Sequence, residues 1–402
     1  MDEMNWADHI GRDTVIEVDL DALSHNIDEF RRHLKKHVKM MIVVKADAYG
    51  HGAVEVAKAA LSAGASYLAV AFLDEAVELR NAGISAPILV LGYTPPHAFK
   101  TAVDYDLTCT VYLPDHLRKM EEAAMKAGKP LRVHIKVDTG MGRLGLAPEE
   151  VLSFVRKLNH SPYIEWEGIF THYATADESD KEYALSQEKK FRQVIETLTK
   201  NHLKPSLVHI ANSAGAIDLH EHSYNMVRLG ISVYGFYPSV EVNQKAVSLK
   251  PVLTLKTKVS SVKKPPAGTG ISYGKTYIVN GEEWIAAIPV GYADGINRHL
   301  SNRGYALING QRVPIVGRIC MDQLMLNVTG VMPVEVGQEV VLYGRQKQNA
   351  ITVDEVADML GTIHYEITCM LSHRIPRIYL RDGKVTAIVN RLREPVRLPS
   401  LT

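Results

Sequence analysis

Between residues 41 and 231 the chain repeats one pattern: short apolar runs at 41–44, 67–72, 87–91, 107–112, 131–138, 164–172, 206–211 and 226–231, separated by helical segments. The helices expected between them include 53–63, 74–82, 114–127, 148–158 and 181–201, with a shorter one after Pro95. Strand-helix alternation sustained this long argues for a parallel sheet, since parallel strands need helical crossovers of this kind. Eight strands joined this way argue for a closed (β/α)₈, TIM-like barrel. An open doubly wound sheet is the alternative, but no glycine-rich dinucleotide fingerprint follows the first apolar run. A short alternating strand at 14–19 and a helix at 22–36, capped by Asp19 or Asp21, lead into that run. The pattern changes near Lys250. Short strands at 253–262, 284–289, 305–308, 313–316, 323–327 and 339–343 are punctuated by Pro265-Pro266, Asn280-Gly281 and Asn309-Gly310. One helix is expected among them at 352–360, with Thr352 and Glu355 as a capping box. The fold class is therefore α/β: a barrel over 1–248 and a mainly β domain over 249–402.

Charge narrows the partners. With 46 basic and 45 acidic residues the net charge is +1, which leaves no electrostatic footprint for nucleic acid or a membrane surface. The three cysteines, Cys109, Cys320 and Cys369, lie too far apart for a disulfide framework or a zinc motif, so no metal and a reducing compartment, the cytoplasm, are expected. The first twelve residues are polar and hold three acids, which fits neither a signal peptide nor an anchor. No apolar run reaches membrane-spanning length.

The chemistry should gather at the carboxyl ends of the barrel strands, with phosphates near the last two. Lys45 follows the apolar run Met41-Ile42-Val43-Val44, and Gly50-His51-Gly52 ends the segment. A lysine desolvated there has its charged form disfavoured and becomes a nucleophile toward an aldehyde. The alternative is a lysine that simply reaches into solvent. Tyr49, four residues on, shares the same mouth. His172 ends the sixth run, and Asn212 and Ser213 end the seventh in His209-Ile210-Ala211-Asn212-Ser213. Ser213 with the amides around Gly230 could cradle a phosphate, or be a turn or cap serine. Arg228 sits between Val227 and Leu229, which should face the helices, so it points inward and needs a partner, catalytic or structural. The fifth run alternates likewise, turning His134, Lys136 and Asp138 inward, which is costly unless they pair.

The string Val44-Lys45-Ala46-Asp47-Ala48-Tyr49-Gly50-His51-Gly52 closely resembles the cofactor-lysine signature of the alanine racemases, barrel-type enzymes that use pyridoxal 5'-phosphate. The strings ending at Ser213 and running Met226-Val227-Arg228-Leu229-Gly230-Ile231 resemble that family's phosphate-binding segments. Asp138-Thr139-Gly140-Met141-Gly142-Arg143-Leu144-Gly145, Gly270-Ile271-Ser272-Tyr273-Gly274, Gly291-Tyr292-Ala293-Asp294-Gly295 and Arg318-Ile319-Cys320-Met321-Asp322-Gln323 match further motifs, as does His364-Tyr365-Glu366. Taken alone, Arg143 reads as a solvent-facing loop residue and Tyr273 as packing or a rim contact.

The resemblance implies that Lys45 holds the cofactor covalently and takes the α-proton of D-alanine, while Tyr273 is the second base and takes that of L-alanine. It places Tyr49 and Tyr365 near the phosphate together with Asn212, Ser213, Gly230 and Ile231, and sets Arg228 on the pyridine nitrogen. His172 falls near Tyr273's proton path through Arg228. Arg143 and Met321 would contact substrate. The lysine matching Lys136 is carbamylated in some members, which gives the arginine matching Arg143 an anionic partner, and whether Lys136 is so modified stays open. Tyr292, Cys320 and Asp322 would line the access route. A homodimer with shared active sites is implied, each receiving Tyr273 from the other subunit, and L- and D-alanine are the implied substrates. One departure is His373, where many members have tyrosine. A non-catalytic pyridoxal-phosphate barrel would lack the β domain, and a decarboxylase would carry an acid where this chain has Arg228. A racemase of broader specificity, for serine for example, stays open.

Overall fold

The computed structural model describes residues 10–393. After β1 (Val15–Asp19) and the helix Leu20–His33, eight strands close in chain order into a parallel barrel. They are β2 (Lys39–Val43), β3 (Tyr67–Val70), β4 (Ile88–Val90), β5 (Thr108–Val111), β6 (Leu131–Lys136), β7 (Ile164–Phe170), β8 (Leu207–His209) and β9 (Met226–Leu229). Closure is made by β2, where Met41 stands opposite both Tyr67 of β3 and Arg228 of β9. The eight apolar runs of the sequence are these eight strands. Ile42, Leu68, Ile88, Val133 and Val227 are fully buried, each contributing roughly 2 kcal/mol through apolar burial. Apart from β2, the observed strands are shorter than the runs, whose last residues leave the ladder to form the mouth of the barrel.

The remaining strands are β10 (Leu253–Lys258), β11 (Ser261–Lys263), β12 (Gly270–Ile271), β13 (Tyr277–Ile278), β14 (Ile285–Ile288), β15 (Tyr305–Ile308), β16 (Gln311–Val316), β17 (Leu324–Asn327), β18 (Glu339–Gln346), β19 (Asn349–Ile351), β20 (Arg377–Arg381) and β21 (Lys384–Val389). All but the β12–β13 ribbon join one sheet, ordered β11-β14-β17-β16-β15-β18-β10-β1-β20-β21, with β19 on β18. The helix Val353–Leu360 is capped as expected, the Thr352 hydroxyl accepting from the Glu355 amide at 3.1 Å.

The chain divides into two compact units, and their limits depart from the sequence boundaries of 1–248 and 249–402. The barrel unit comprises 22–48 and 53–250; the other takes 49–52 and everything from Pro251, with the N-terminal segment ending at Asp21. β1 belongs to the large sheet: it lies antiparallel to β10 and parallel to β20, with Ile16 opposite Leu255 and Arg377. Its Val15, Ile16 and Val18 are at most 1% exposed. An alternating strand announces its pleat but not its sheet, so proximity in sequence misassigned it. The tetrapeptide 49–52 joins the same unit by close backbone approach. A Cβ on Gly50 would lie 2.2 Å from the Thr368 carbonyl oxygen, and one on Gly52 1.7 Å from the Tyr379 hydroxyl. Arg377 donates to the Gly50 carbonyl at 3.1 Å. These glycines make room for neighbours and do not end the strand, which already stops at Val43.

Candidate active site

β2 stops at Val43, so Lys45 is not on the strand but opens a tight turn, half-buried. Residues 46–49 all have φ between 51 and 54°, a left-handed turn built without glycine. Such a conformation costs roughly 1–2 kcal/mol per residue and persists only where the surroundings fix it. Glu75 supplies much of that. Its carboxylate accepts the Ala46 amide at 2.6 Å and those of Ala71 and Phe72 at 2.7 and 3.0 Å, stapling the lysine turn to the end of β3. Asp47 accepts from the Ala53 amide at 2.9 Å, and the Ala48 amide bonds the Val44 carbonyl. Sequence reasoning missed Glu75; its only local signal is a first-turn acid that reads as an ordinary helix cap.

Inside the barrel Arg228 is 3% exposed and multiply bonded. It donates from Nη1 to His209 Nδ1 at 2.7 Å, and from Nη2 to His172 Nδ1 at 2.9 Å and to the Thr171 and Ile210 carbonyls at 2.8 and 2.9 Å. Among the described residues no carboxylate touches it. Burial, then the charge of Arg143, push its pKa down to about 9, still far enough above neutrality to keep it a cation. A guanidinium has no acceptor, so His172 must present a lone pair at Nδ1 and carry its proton on Nε2. Burial, then the charges of Arg228, Lys136, Arg143 and Lys45, hold His172 well below the usual imidazole range.

The sequence expected His134, Lys136 and Asp138 to face inward and pair. His134 is bonded to His209 and Glu167. Asp138 accepts from the Gly140 and Gly142 amides at 2.9 and 3.1 Å, shaping the loop that carries Arg143, itself exposed. Lys136 does not follow: it is 5% exposed, its Nζ has no hydrogen-bond partner, and it stands 4.9 Å over the Phe170 ring. Burial, then Arg228 and Arg143, lower its pKa well below that of a free lysine.

At the ends of β8 and β9, Asn212 caps the helix Ser213–Asp218 by accepting from the Gly215 amide at 2.9 Å. Asn212, not Ser213, is therefore the cap. Ser213 is buried, and its hydroxyl oxygen accepts the Gly230 amide at 3.0 Å. That bond occupies the amide expected to serve a phosphate and leaves the hydroxyl proton of Ser213 as a donor. Ile231 opens the turn Ile231–Tyr234, fully buried. Lysine, arginine and histidine thus crowd the mouth of this barrel, while the carboxylates of Asp47, Glu75 and Asp138 are taken up by backbone amides, an environment that favours anions.

In the other unit, Tyr273 heads the turn Tyr273–Lys275 between β12 and β13 and is 71% exposed. Ser272, at φ 63°, anchors that turn by donating to the Arg318 carbonyl at 2.5 Å, with its oxygen 3.4 Å from Cys320 Sγ. The Tyr292 and Ala293 amides bond the Cys320 and Met321 carbonyls, each at 3.0 Å. Asp294 is buried beneath, accepting from Arg12 at 2.7 Å and Arg374 at 2.8 Å, and Arg374 reaches on to Asp322 at 2.7 Å. His373 falls between Arg374 and Ser372, whose amide also bonds Asp294. Tyr273, Cys320, Ile271 and Met325 line an open cleft of about 840 Å³. The motifs at 270–274, 291–295 and 318–323 are therefore one surface. Arg12, in a segment without an evident motif, is part of its support. Tyr49 and Tyr365 come together in this same unit, their rings 6.1 Å apart.

The alanine racemase N-terminal domain model matches residues 18–238 and the alanine racemase C-terminal domain model residues 252–379. An alanine racemase 2 of Caldanaerobacter subterraneus subsp. tengcongensis is 46% identical over 383 residues, 95% of this chain and 98% of that one. The structure of an alanine racemase from Clostridium difficile 630 superimposes with a TM-score of 0.92 at 41% identity, covering 96% of this chain and all of that one. That of an alanine racemase from Bacillus anthracis with bound L-Ala-P gives a TM-score of 0.90 at 43% identity over 95% and 99%. Two matched domains in the right order, and identity sustained over nearly the whole length, leave one conclusion: the chain belongs to the alanine racemase family.

Proposed function

We propose that the protein interconverts L- and D-alanine with pyridoxal 5'-phosphate bound at Lys45, supplying D-alanine for cell-wall synthesis. The observation that carries the cofactor assignment is the donor set of the barrel mouth. A half-buried lysine on a fixed turn, a buried serine hydroxyl with its proton free to donate, and an arginine without a carboxylate partner suit an aldehyde, a phosphate and a ring nitrogen. The cofactor supplies electron withdrawal that acidifies the substrate's α-carbon–hydrogen bond.

The chain does the rest. Lys45 holds the cofactor and, once displaced by substrate, takes or returns the α-proton on one face. Tyr273, from a second copy of the chain, does so on the other face, since inversion needs a base on each side. Ser213, Asn212, Gly230, Ile231, Tyr49 and Tyr365 hold the phosphate end. Arg228 donates to the ring nitrogen and, having no acceptor, keeps it unprotonated, which restrains the electron sink. By fixing the proton of His172 on Nε2, Arg228 also makes that imidazole a donor that stabilises the Tyr273 phenolate. Arg143 and Met321 orient the substrate, and Tyr292, Cys320 and Asp322 line its approach. The amine of Lys136, its charged form disfavoured by burial and without a hydrogen-bond partner among the described residues, suits carbamylation, which would give Arg143 an anion.

The homodimer rests on exposure. Tyr273, Met321 and Tyr292 are 71, 53 and 41% exposed on one supported surface, and large side chains left bare together suit an interaction face. Three free thiols fit the cytoplasm, and among the described residues no helix is long and apolar enough to cross a membrane. Circular dichroism of purified protein incubated in turn with L-alanine, L-serine and L-lysine tests the substrate. Rapid loss of signal with L-alanine alone is expected; faster loss with either other amino acid would make this a racemase of different specificity.

A further inference from the structure

Arg228 is a buried cation with no carboxylate in contact, yet an uncompensated charge in such a place is expensive. Its counter-charge is found two imidazoles away. Because Arg228 only donates, His209 must accept at Nδ1 and hold its proton on Nε2. That nitrogen lies 2.9 Å from His134 Nδ1, which must then accept, leaving the His134 proton on Nε2, 3.2 Å from Glu167 Oε2. Every donor in the chain Arg228–His209–His134–Glu167 thus points the same way, toward the carboxylate. Both imidazoles are fully buried, and burial keeps both in the neutral form this order requires. Glu167 resists burial through the bonds from His134 and Tyr67, which hold its carboxyl below the usual range.

The surroundings are shaped to this chain. The Tyr67 hydroxyl donates to the same Oε2 at 2.8 Å and accepts from Thr108 at 2.7 Å. Phe170 stacks on His209 with ring centres 4.8 Å apart and planes at 8°. Gly168 leaves the space that His134 fills, for a Cβ there would stand 2.7 Å from two atoms of its ring.

We propose that Glu167 is a positioning residue for the racemisation: through His134 and His209 it fixes the acceptor that Arg228 meets and supplies the remote negative charge that holds the guanidinium in place. This rests on the reading that Arg228 serves the cofactor's ring nitrogen. It also states why an arginine is tolerated there without an adjacent acid.

The test is made on the full-length, cofactor-loaded protein. Nitrogen-15 NMR of histidine-labelled wild type should show His134 and His209 neutral with protons on Nε2. Glu167→Leu, which removes the acceptor, should scramble both tautomers and lower kcat about tenfold while KM stays within about twofold. Glu167→Gln, whose amide carbonyl can still accept, should restore the tautomers and recover part of kcat. Tyr67→Phe, which removes a bond to the same oxygen but leaves the chain intact, should change neither. A wild-type His209 that is protonated on Nδ1 or cationic overturns the proposal. So does a Leu variant with wild-type tautomers and kcat, or an equal fall in kcat for Tyr67→Phe. A protein that shows the expected tautomers but binds no cofactor leaves the chain standing and sinks the assignment of Arg228 instead.

Discussion

Arg228→Glu is expected to lose about three orders of magnitude in racemisation and to release pyruvate slowly from alanine. Arg228 donates and cannot accept, so on the proposed reading a ring nitrogen held against it would stay unprotonated and would stabilise the deprotonated substrate only briefly. Brief survival favours return of the proton to the α-carbon, from one face or the other. A glutamate reverses the local charge and favours a protonated ring, a stronger electron sink. The deprotonated substrate should then persist, seen as a new long-wavelength absorption band, and be diverted to transamination. A purely structural role forecasts something different, a misfolded or cofactor-free barrel, because His209 and His172 would lose their common donor. Absorption spectra and a pyruvate assay on the same sample separate the two. A folded, cofactor-loaded variant with neither new band nor pyruvate would mean that Arg228 does not face the ring nitrogen.

Tyr273→Phe should cost about a thousandfold in racemisation, as loss of a positioned general base does. The equilibrium constant between mirror-image substrates is unity, so the two directions must fall together and overall rates cannot assign the faces. Exchange of the α-proton with solvent deuterium can. From D-alanine, exchange should continue, because Lys45 still works on its own face; from L-alanine it should nearly cease. Tyr273 is 71% exposed on its turn, so the substitution should leave folding unaffected. Equal loss of exchange from both enantiomers would contradict face-specific bases.

Much of this was legible from residue order. Strand-helix alternation makes the eight strands of the barrel stand out, and the alternation in β6 singled out His134 and Lys136, both buried; Asp138 lies past the end of that strand, half-buried. Short turn motifs likewise carried their geometry: the surface around Tyr273 is assembled from three strings that the sequence singled out. What failed was information held by distant partners. β1 has a clear pleat, yet nothing in it says that its edges are taken by β10 and β20. β20 and β21 went unrecognised although Asp382-Gly383 marks the turn between them, because their polar and charged residues dilute the apolar signal. The lysine turn is left-handed without a glycine to announce it, and its staple, Glu75, lies thirty residues downstream in an ordinary helix start. Glu167 escaped for the same reason. Its role is defined by a chain of bonds spanning four strands, not by its neighbours in sequence.

All of these roles hang on Lys45 as the residue that holds the cofactor. Purified protein should absorb in the visible, lose that absorption on treatment with borohydride, and retain the label through unfolding. Peptide mapping should then place a phosphopyridoxyl mass on Lys45 and on no other lysine. A label recovered at a different lysine, or a protein that never takes one up when given pyridoxal phosphate, would contradict the account at its root.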